Sequence, residues 1–235
     1  MRREPSVQRE EEEHLLLPPD DPPLLERPTL RGALHLGALP VSVVAGTWLV
    51  LWAPAGSARI SCLIYALTAV LLFGCSALYH RGRWTPPVKA LLRRLDHANI
   101  FVFIAGSYTP LAVLALEGTT RTAVLVTVWT GAVLGLLFRV VWMGAPRWLY
   151  VPLYVGLGWV AVGVTPALWR GAGGGVVLLL VVGGLGYTLG ALAYAFKRPD
   201  PWPRTFGYHE VFHTGTLVGW AAMYAAVVLT VAHTT

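Results

Sequence analysis

Charge is scarce in this chain. Only 13% of its 235 residues are Asp, Glu, Lys or Arg and 55% are hydrophobic, whereas soluble domains carry about a quarter charged residues. That shortage excludes an ordinary soluble domain and marks a membrane protein. The net charge of +6 is therefore read against membrane topology and not as an affinity for nucleic acid, because basic residues of membrane proteins collect on the cytoplasmic side. Cysteine is nearly absent too, with Cys62 and Cys75 thirteen positions apart in one apolar stretch. On a helix that spacing turns them to roughly opposite faces, which excludes a disulfide between them and argues against a thiolate metal site. Nothing implies an oxidising compartment. The glycine-rich stretch from Gly171 to Gly175 follows no strand and lacks the Lys-Ser/Thr of a phosphate-binding loop, so it reads as a flexible turn. No internal repeat stands out.

What the chain does contain is a tail followed by long apolar runs. Residues 1–30 are expected to form a disordered cytoplasmic tail: Glu10 to Glu13 make an acidic run, and Pro18, Pro19, Pro22, Pro23 and Pro28 forbid a continued helix. The tail is not read as a secretory signal, since the apolar core begins only near Ala33. Residues 31–235 are expected to form one all-α integral membrane domain, a seven-transmembrane helix bundle. Its spans are placed at about Gly32–Ala53, Ile60–Tyr79, His97–Leu116, Thr122–Trp142, Leu149–Leu168, Val176–Phe196 and Val211–Val231, each near the twenty or so residues that cross about 30 Å of hydrocarbon. Pro152 and Pro166 predict a kinked fifth span.

The basic residues set the orientation. With the amino terminus cytoplasmic, fifteen of the eighteen Lys and Arg fall inside, and only Arg59, Arg121 and Arg170 fall outside. The positive-inside rule then predicts a cytoplasmic amino terminus and an external carboxyl terminus. Parity follows: the end of an even span and the start of an odd span share one leaflet, the cytoplasmic one.

The polar residues that interrupt the apolar pattern gather in that leaflet. His209 and His213 lie four apart at the start of the seventh span, so both imidazoles project from one helical face about 6 Å apart along the axis. Ser76 and His80 have the same spacing at the end of the second span, and Asp96 stands at the start of the third. Ionisable residues within a bilayer persist where they have partners, which makes one shared site the expectation. His80, His209 and His213 suit zinc as three neutral nitrogen ligands with a fourth position open, the pattern of a catalytic centre. Asp96 is the candidate general base or orienting group, and Ser76 the candidate hydrogen-bond donor to a developing oxyanion.

Four motifs, in this order and spacing, carry a family resemblance: Ser76-Ala77-Leu78-Tyr79-His80, Leu95-Asp96-His97, Ala105-Gly106-Ser107-Tyr108-Thr109-Pro110, and Phe206-Gly207-Tyr208-His209-Glu210-Val211-Phe212-His213. The chain resembles the haemolysin III family, the bacterial branch of the progestin and adipoQ receptor family, which is similar to alkaline ceramidases. The resemblance implies zinc on His80, His209 and His213, with Asp96 and Ser76 beside it, seven spans, and a bacterial plasma-membrane location. It also implies a hydrolase of a lipid amide or ester, serving membrane lipid or fluidity homeostasis, with membrane lipids as partners. Two other classes stay open: a zinc-stabilised receptor or lipid sensor without turnover, and a pore-forming haemolysin. No span carries a regular polar stripe to line a pore.

The remaining polar residues have plainer readings. His97 points about 100° from Asp96 around a helix and reads as an interfacial or supporting histidine. Glu210 is expected to cap the seventh helix or pair with a loop arginine. His35 reads as a buried hydrogen-bonding residue of the first span, and Tyr108 and Pro110 either shape a kink in the third helix or, the favoured reading, supply packing and an interfacial hydroxyl. Trp48, Trp52, Trp84, Trp142, Trp148, Trp169 and Trp202 read as interface anchors. Gly32, Gly37 and Gly46, like Gly183, Gly186 and Gly190, allow close helix contact within or between chains.

Overall fold

A computed structural model describes residues 28–234, so the expected tail lies almost wholly outside the described residues. The regular elements among the described residues are all helices, without a strand. The helices are α1 (Ala33–Trp52), α2 (Ser57–Arg81), α3 (Pro86–Ala115), α4 (Gly118–Val141), α5 (Arg147–Gly158), α6 (Thr165–Phe196) and α7 (Tyr208–Ala232), with a 3₁₀ segment at Val160–Val164. Proline and glycine set several of these limits. Ala53 turns extended ahead of Pro54 and ends α1, as the residue before a proline prefers. Pro86 opens α3 within its first turn, where a missing N–H costs nothing.

Six helical stretches among the described residues are long and apolar enough to cross a membrane. Five coincide with expected spans. The expected fifth and sixth spans fall together in Arg147–Phe196, a stretch of 50 residues, which as one rod of about 75 Å would be more than twice the thickness of the hydrocarbon. It is not one rod. The backbone leaves helical geometry at Gly173, with φ 84° and ψ 167°, so the expected flexible turn of five residues is reduced to a single glycine. The two halves then lie side by side and antiparallel. Arg147 Nη1 donates to the Tyr194 carbonyl at 2.7 Å, Tyr150 and Tyr194 hydroxyls meet at 3.2 Å, and Trp159 Nε1 donates to Thr188 Oγ1 at 2.9 Å.

The expected kink between Pro152 and Pro166 is the 3₁₀ segment Val160–Val164. Tyr108 holds it: its hydroxyl donates to the Gly158 carbonyl at 2.6 Å and accepts the Ala161 N–H at 2.8 Å. The hydroxyl expected at the interface thus bonds backbone groups at the break between α5 and the 3₁₀ segment. The third helix also begins earlier than its predicted span, at Pro86 and not near His97. Asp96 and His97 therefore sit about three turns inside a continuous helix, on a frame more rigid than a helix end.

The core lies around α3. About two thirds of its apolar window is buried (67%), against 28% for α1 and for α4. Neighbouring helices in sequence pack on one another, and α7 closes the arrangement against α6, α3 and α1. Gly183, Gly186 and Gly190 face Gly215 and Gly219 of α7 at backbone distance. Those small-residue contacts are internal. The tryptophans at helix ends, including Trp48, Trp142, Trp148, Trp169 and Trp202, are exposed as interface anchors would be.

Candidate metal centre

The centre begins with the start of α7. Gly207 is its N-cap residue, and a glycine has no side chain with which to satisfy the free N–H groups of a first turn. Carboxylates do so instead. Glu210 Oε2 accepts the Gly207 N–H and Asp200 Oδ1 accepts the Tyr208 N–H, both at 2.9 Å. Their negative charge also suits the positive end of the helix dipole. His209 and His213 follow on one face with ring centroids 4.6 Å apart.

Across from them, the end of α2 supplies His80. His80 Nε2 lies 3.2 Å from His209 Nε2, and the His80 and His213 rings are 5.4 Å apart. Nitrogen donors of His80, His209 and His213 all lie within 4.8 Å of one another. Zinc–nitrogen bonds of about 2.0–2.1 Å at tetrahedral angles put ligand nitrogens about 3.3 Å apart. The His80–His209 pair is already at that spacing, and the third donor lies within 4.8 Å of both. His213 Nδ1 is buried and makes no hydrogen bond among the described residues. This donor set could hold a metal ion, with one nitrogen from each of three imidazoles.

Asp96 and Ser76 stand beside the three histidines. Asp96 Oδ2 is 3.8 Å from His80 Nε2 and 3.7 Å from His97 Nδ1. Ser76, one turn before His80 on α2, interacts with the Asp96 carboxyl, yet its buried Oγ completes no hydrogen bond. Both line a largely apolar cavity that also touches His213 and extends along α3 to Leu116. The twenty residues between Asp96 and Leu116 correspond to about 30 Å of helix. His97 is turned away, as expected. Its Nδ1–H donates to the Arg93 carbonyl at 2.9 Å, and its Nε2 faces the Tyr194 hydroxyl at 3.5 Å.

The five residues singled out in the sequence, Ser76, His80, Asp96, His209 and His213, thus come together. Others at the site were not assigned to it from the sequence. Arg31 Nε donates to Glu210 Oε1 at 2.6 Å with both side chains almost fully buried, so Glu210 combines the two roles predicted as alternatives. Gly32, with φ +75°, packs directly on His80. His35 was expected to hydrogen-bond within the first span. Instead it stacks on His213 at 3.8 Å with planes 13° apart, and neither ring nitrogen has a hydrogen-bond partner among the described residues. The available signal was weak: Arg31 lies in the turn before α1 and His35 in its first turn, and nothing local says which helix either meets.

Residues 24–224 match the family model described as Haemolysin-III related. The chain belongs to the haemolysin III family. It is 31% identical over 168 residues to the Hemolysin-3 homolog of Bacillus subtilis (strain 168), covering 72% of this chain and 76% of the relative. It is 29% identical over 171 residues to Hemolysin-3 of Bacillus cereus, covering 73% and 75% respectively. The matched region of this haemolysin III chain takes in the three clustered histidines together with Ser76 and Asp96.

Proposed function

We propose that this chain is a zinc-dependent membrane hydrolase acting on a lipid amide or ester. One observation carries the reading: three imidazoles from two helices meet beside a carboxylate and a buried hydroxyl, at the head of a long apolar cavity. His80, His209 and His213 would hold the metal. Zinc in such a site supplies Lewis-acid polarisation and an acidified water. The Asp96 carboxylate accepts a proton at Oδ2, and the Ser76 hydroxyl donates to oxygen charge developing on the substrate carbonyl. The cavity along α3 takes an acyl chain and keeps bulk water from the reacting group.

The same proposal has the chain crossing the membrane seven times, amino terminus inside, with the site in the cytoplasmic leaflet of a bacterial plasma membrane. The basic-residue bias and the fold-back at Gly173 support it. A zinc-stabilised sensor would use the same cluster without turnover, and a pore, which the relatives' names suggest, would not need the cluster. The deciding experiment joins two measurements on detergent-purified protein. Elemental mass spectrometry is expected to find about one zinc per chain, lost in the combined His80→Ala, His209→Ala, His213→Ala variant. Hydrolysis of a fatty-acyl amide is expected in the native chain and lost in Asp96→Ala. Zinc without turnover on a broad lipid panel would sink the hydrolase in favour of the sensor, and dye leakage from protein-containing liposomes would point to the pore.

A further inference from the structure

His35 is a buried histidine beside the candidate metal centre that the site as described does not use. It is 3% exposed, stacked face to face on His213 and edge-on to Phe73 at 5.2 Å. Both of its nitrogens are buried without a hydrogen-bond partner among the described residues, and its side chain lines the same cavity as Ser76, Asp96 and His213. A polar ring so placed is costly unless something satisfies it, and nearly all buried polar groups are satisfied.

It is not a fourth metal ligand. Imidazole lone pairs lie in the ring plane, and the two rings are nearly parallel, 13° apart with centroids 3.8 Å apart. An ion held in the plane of His213 lies well off the plane of His35. Nor is packing a sufficient account, since a phenylalanine would stack equally well without burying two polar atoms. Its position is fixed independently of any ligand: Arg31, in the turn just before α1, is locked to Glu210, and Tyr224 of α7 donates to the Ala45 carbonyl at 2.9 Å farther along α1.

We infer that His35 is a ligand-contacting residue that recognises the polar head of the lipid at the cavity's metal end. A neutral imidazole offers one donor and one acceptor, which matches a head group carrying both, such as an amide or a hydroxyl beside a carbonyl. This inference rests on the lipid reading above and adds a specificity element to it: lipids without a donor–acceptor pair at the head, such as hydrocarbons and simple methyl esters, lose this contact.

The test uses full-length protein in detergent and a long-chain alkylsulfonamide, which presents N–H and S=O groups together and is not hydrolysed. His35→Phe keeps the stacking ring and deletes both nitrogens; His35→Gln restores a donor and an acceptor without the ring. Binding to His35→Phe is expected to be about tenfold weaker than to the native chain, with partial recovery in His35→Gln and unchanged zinc content in both. Equal binding by native protein and a folded His35→Phe overturns the inference and leaves His35 a packing residue. A native chain without zinc but with binding that His35→Phe weakens retires the metal and keeps the inference. No binding by the native chain overturns the inference together with the lipid reading.

Discussion

The Glu210 carboxylate serves two partners at once, with Arg31 Nε–H on Oε1 at 2.6 Å and the Gly207 N–H on Oε2 at 2.9 Å. Removing it strands a guanidinium whose side chain is 8% exposed. Breaking a buried pair from one side costs about 3–5 kcal/mol, so Glu210→Ala is expected to lower thermal stability in detergent by that order. Glu210→Gln should lose less, because it still caps α7. A loss below about 1 kcal/mol for the alanine variant would mean that water reaches Arg31. The histidines divide in the same way. His213→Ala removes a donor from the cluster and should weaken zinc binding more than 100-fold in chelator competition, since even supporting groups around a metal are worth about 10–100-fold. His97→Ala should cost less than tenfold by the same comparison, because its ring is bonded to Arg93 and turned from the cluster.

Helix positions act on the site through glycine. Gly32 ends the segment before α1 with φ +75°, and a Cβ there would stand 2.5 Å from the His80 Cβ. Left-handed geometry costs an ordinary residue about 1–2 kcal/mol, and the clash would push His80 out of line. Gly32→Ala is therefore expected to reduce both stability and zinc affinity, whereas Gly37→Ala, with nothing within 4 Å, should change neither. At the α6–α7 contact a Cβ on Gly215 would lie 2.7 Å from the Gly186 carbonyl oxygen and 2.8 Å from the Gly190 Cα. Those are backbone atoms, which cannot rotate aside. Gly215→Val should separate the helices and lower the melting temperature, and an unchanged melting curve would show that the two helices can shift without loss. α7 is thus held on one side by glycine contact and on the other by Arg31, which together aim His209 and His213 at α2.

For the whole molecule, the decisive question is how often Arg147–Phe196 crosses the bilayer. If it crosses twice, reporters inserted near Gly144 and near Lys197 lie on the same, cytoplasmic side, one near Gly173 lies outside, and the carboxyl terminus is also outside. If it crosses once, Gly144 and Lys197 lie on opposite sides and the carboxyl terminus is inside. Side-specific fusion reporters at these positions separate the outcomes. We expect the double crossing: Gly171 and Gly173 reach Ala115 and His233, at the far ends of α3 and α7, while Arg147 and Tyr194 meet at the other end.

What the sequence determined by itself was whatever depends on local spacing or on summed composition. Scarce charge and long apolar runs imply membrane helices because hydrocarbon cannot hydrate a backbone. Four-residue spacing put Ser76 with His80 and His209 with His213 on single faces, because 3.6 residues make a turn. Residue parity along the expected spans then predicts one shared leaflet for these groups and Asp96. Tertiary structure decided what depends on pairs of helices far apart in the chain. Arg31 meets Glu210 across 179 positions, and His35 meets His213 through the same pairing of α1 with α7; no local pattern encodes which helices become neighbours. The break at Gly173, in a stretch with several glycines of equal promise, was likewise chosen by the contacts on either side of it. Contacts of that kind turn a row of polar residues along a sequence into a site with a defined set of donors.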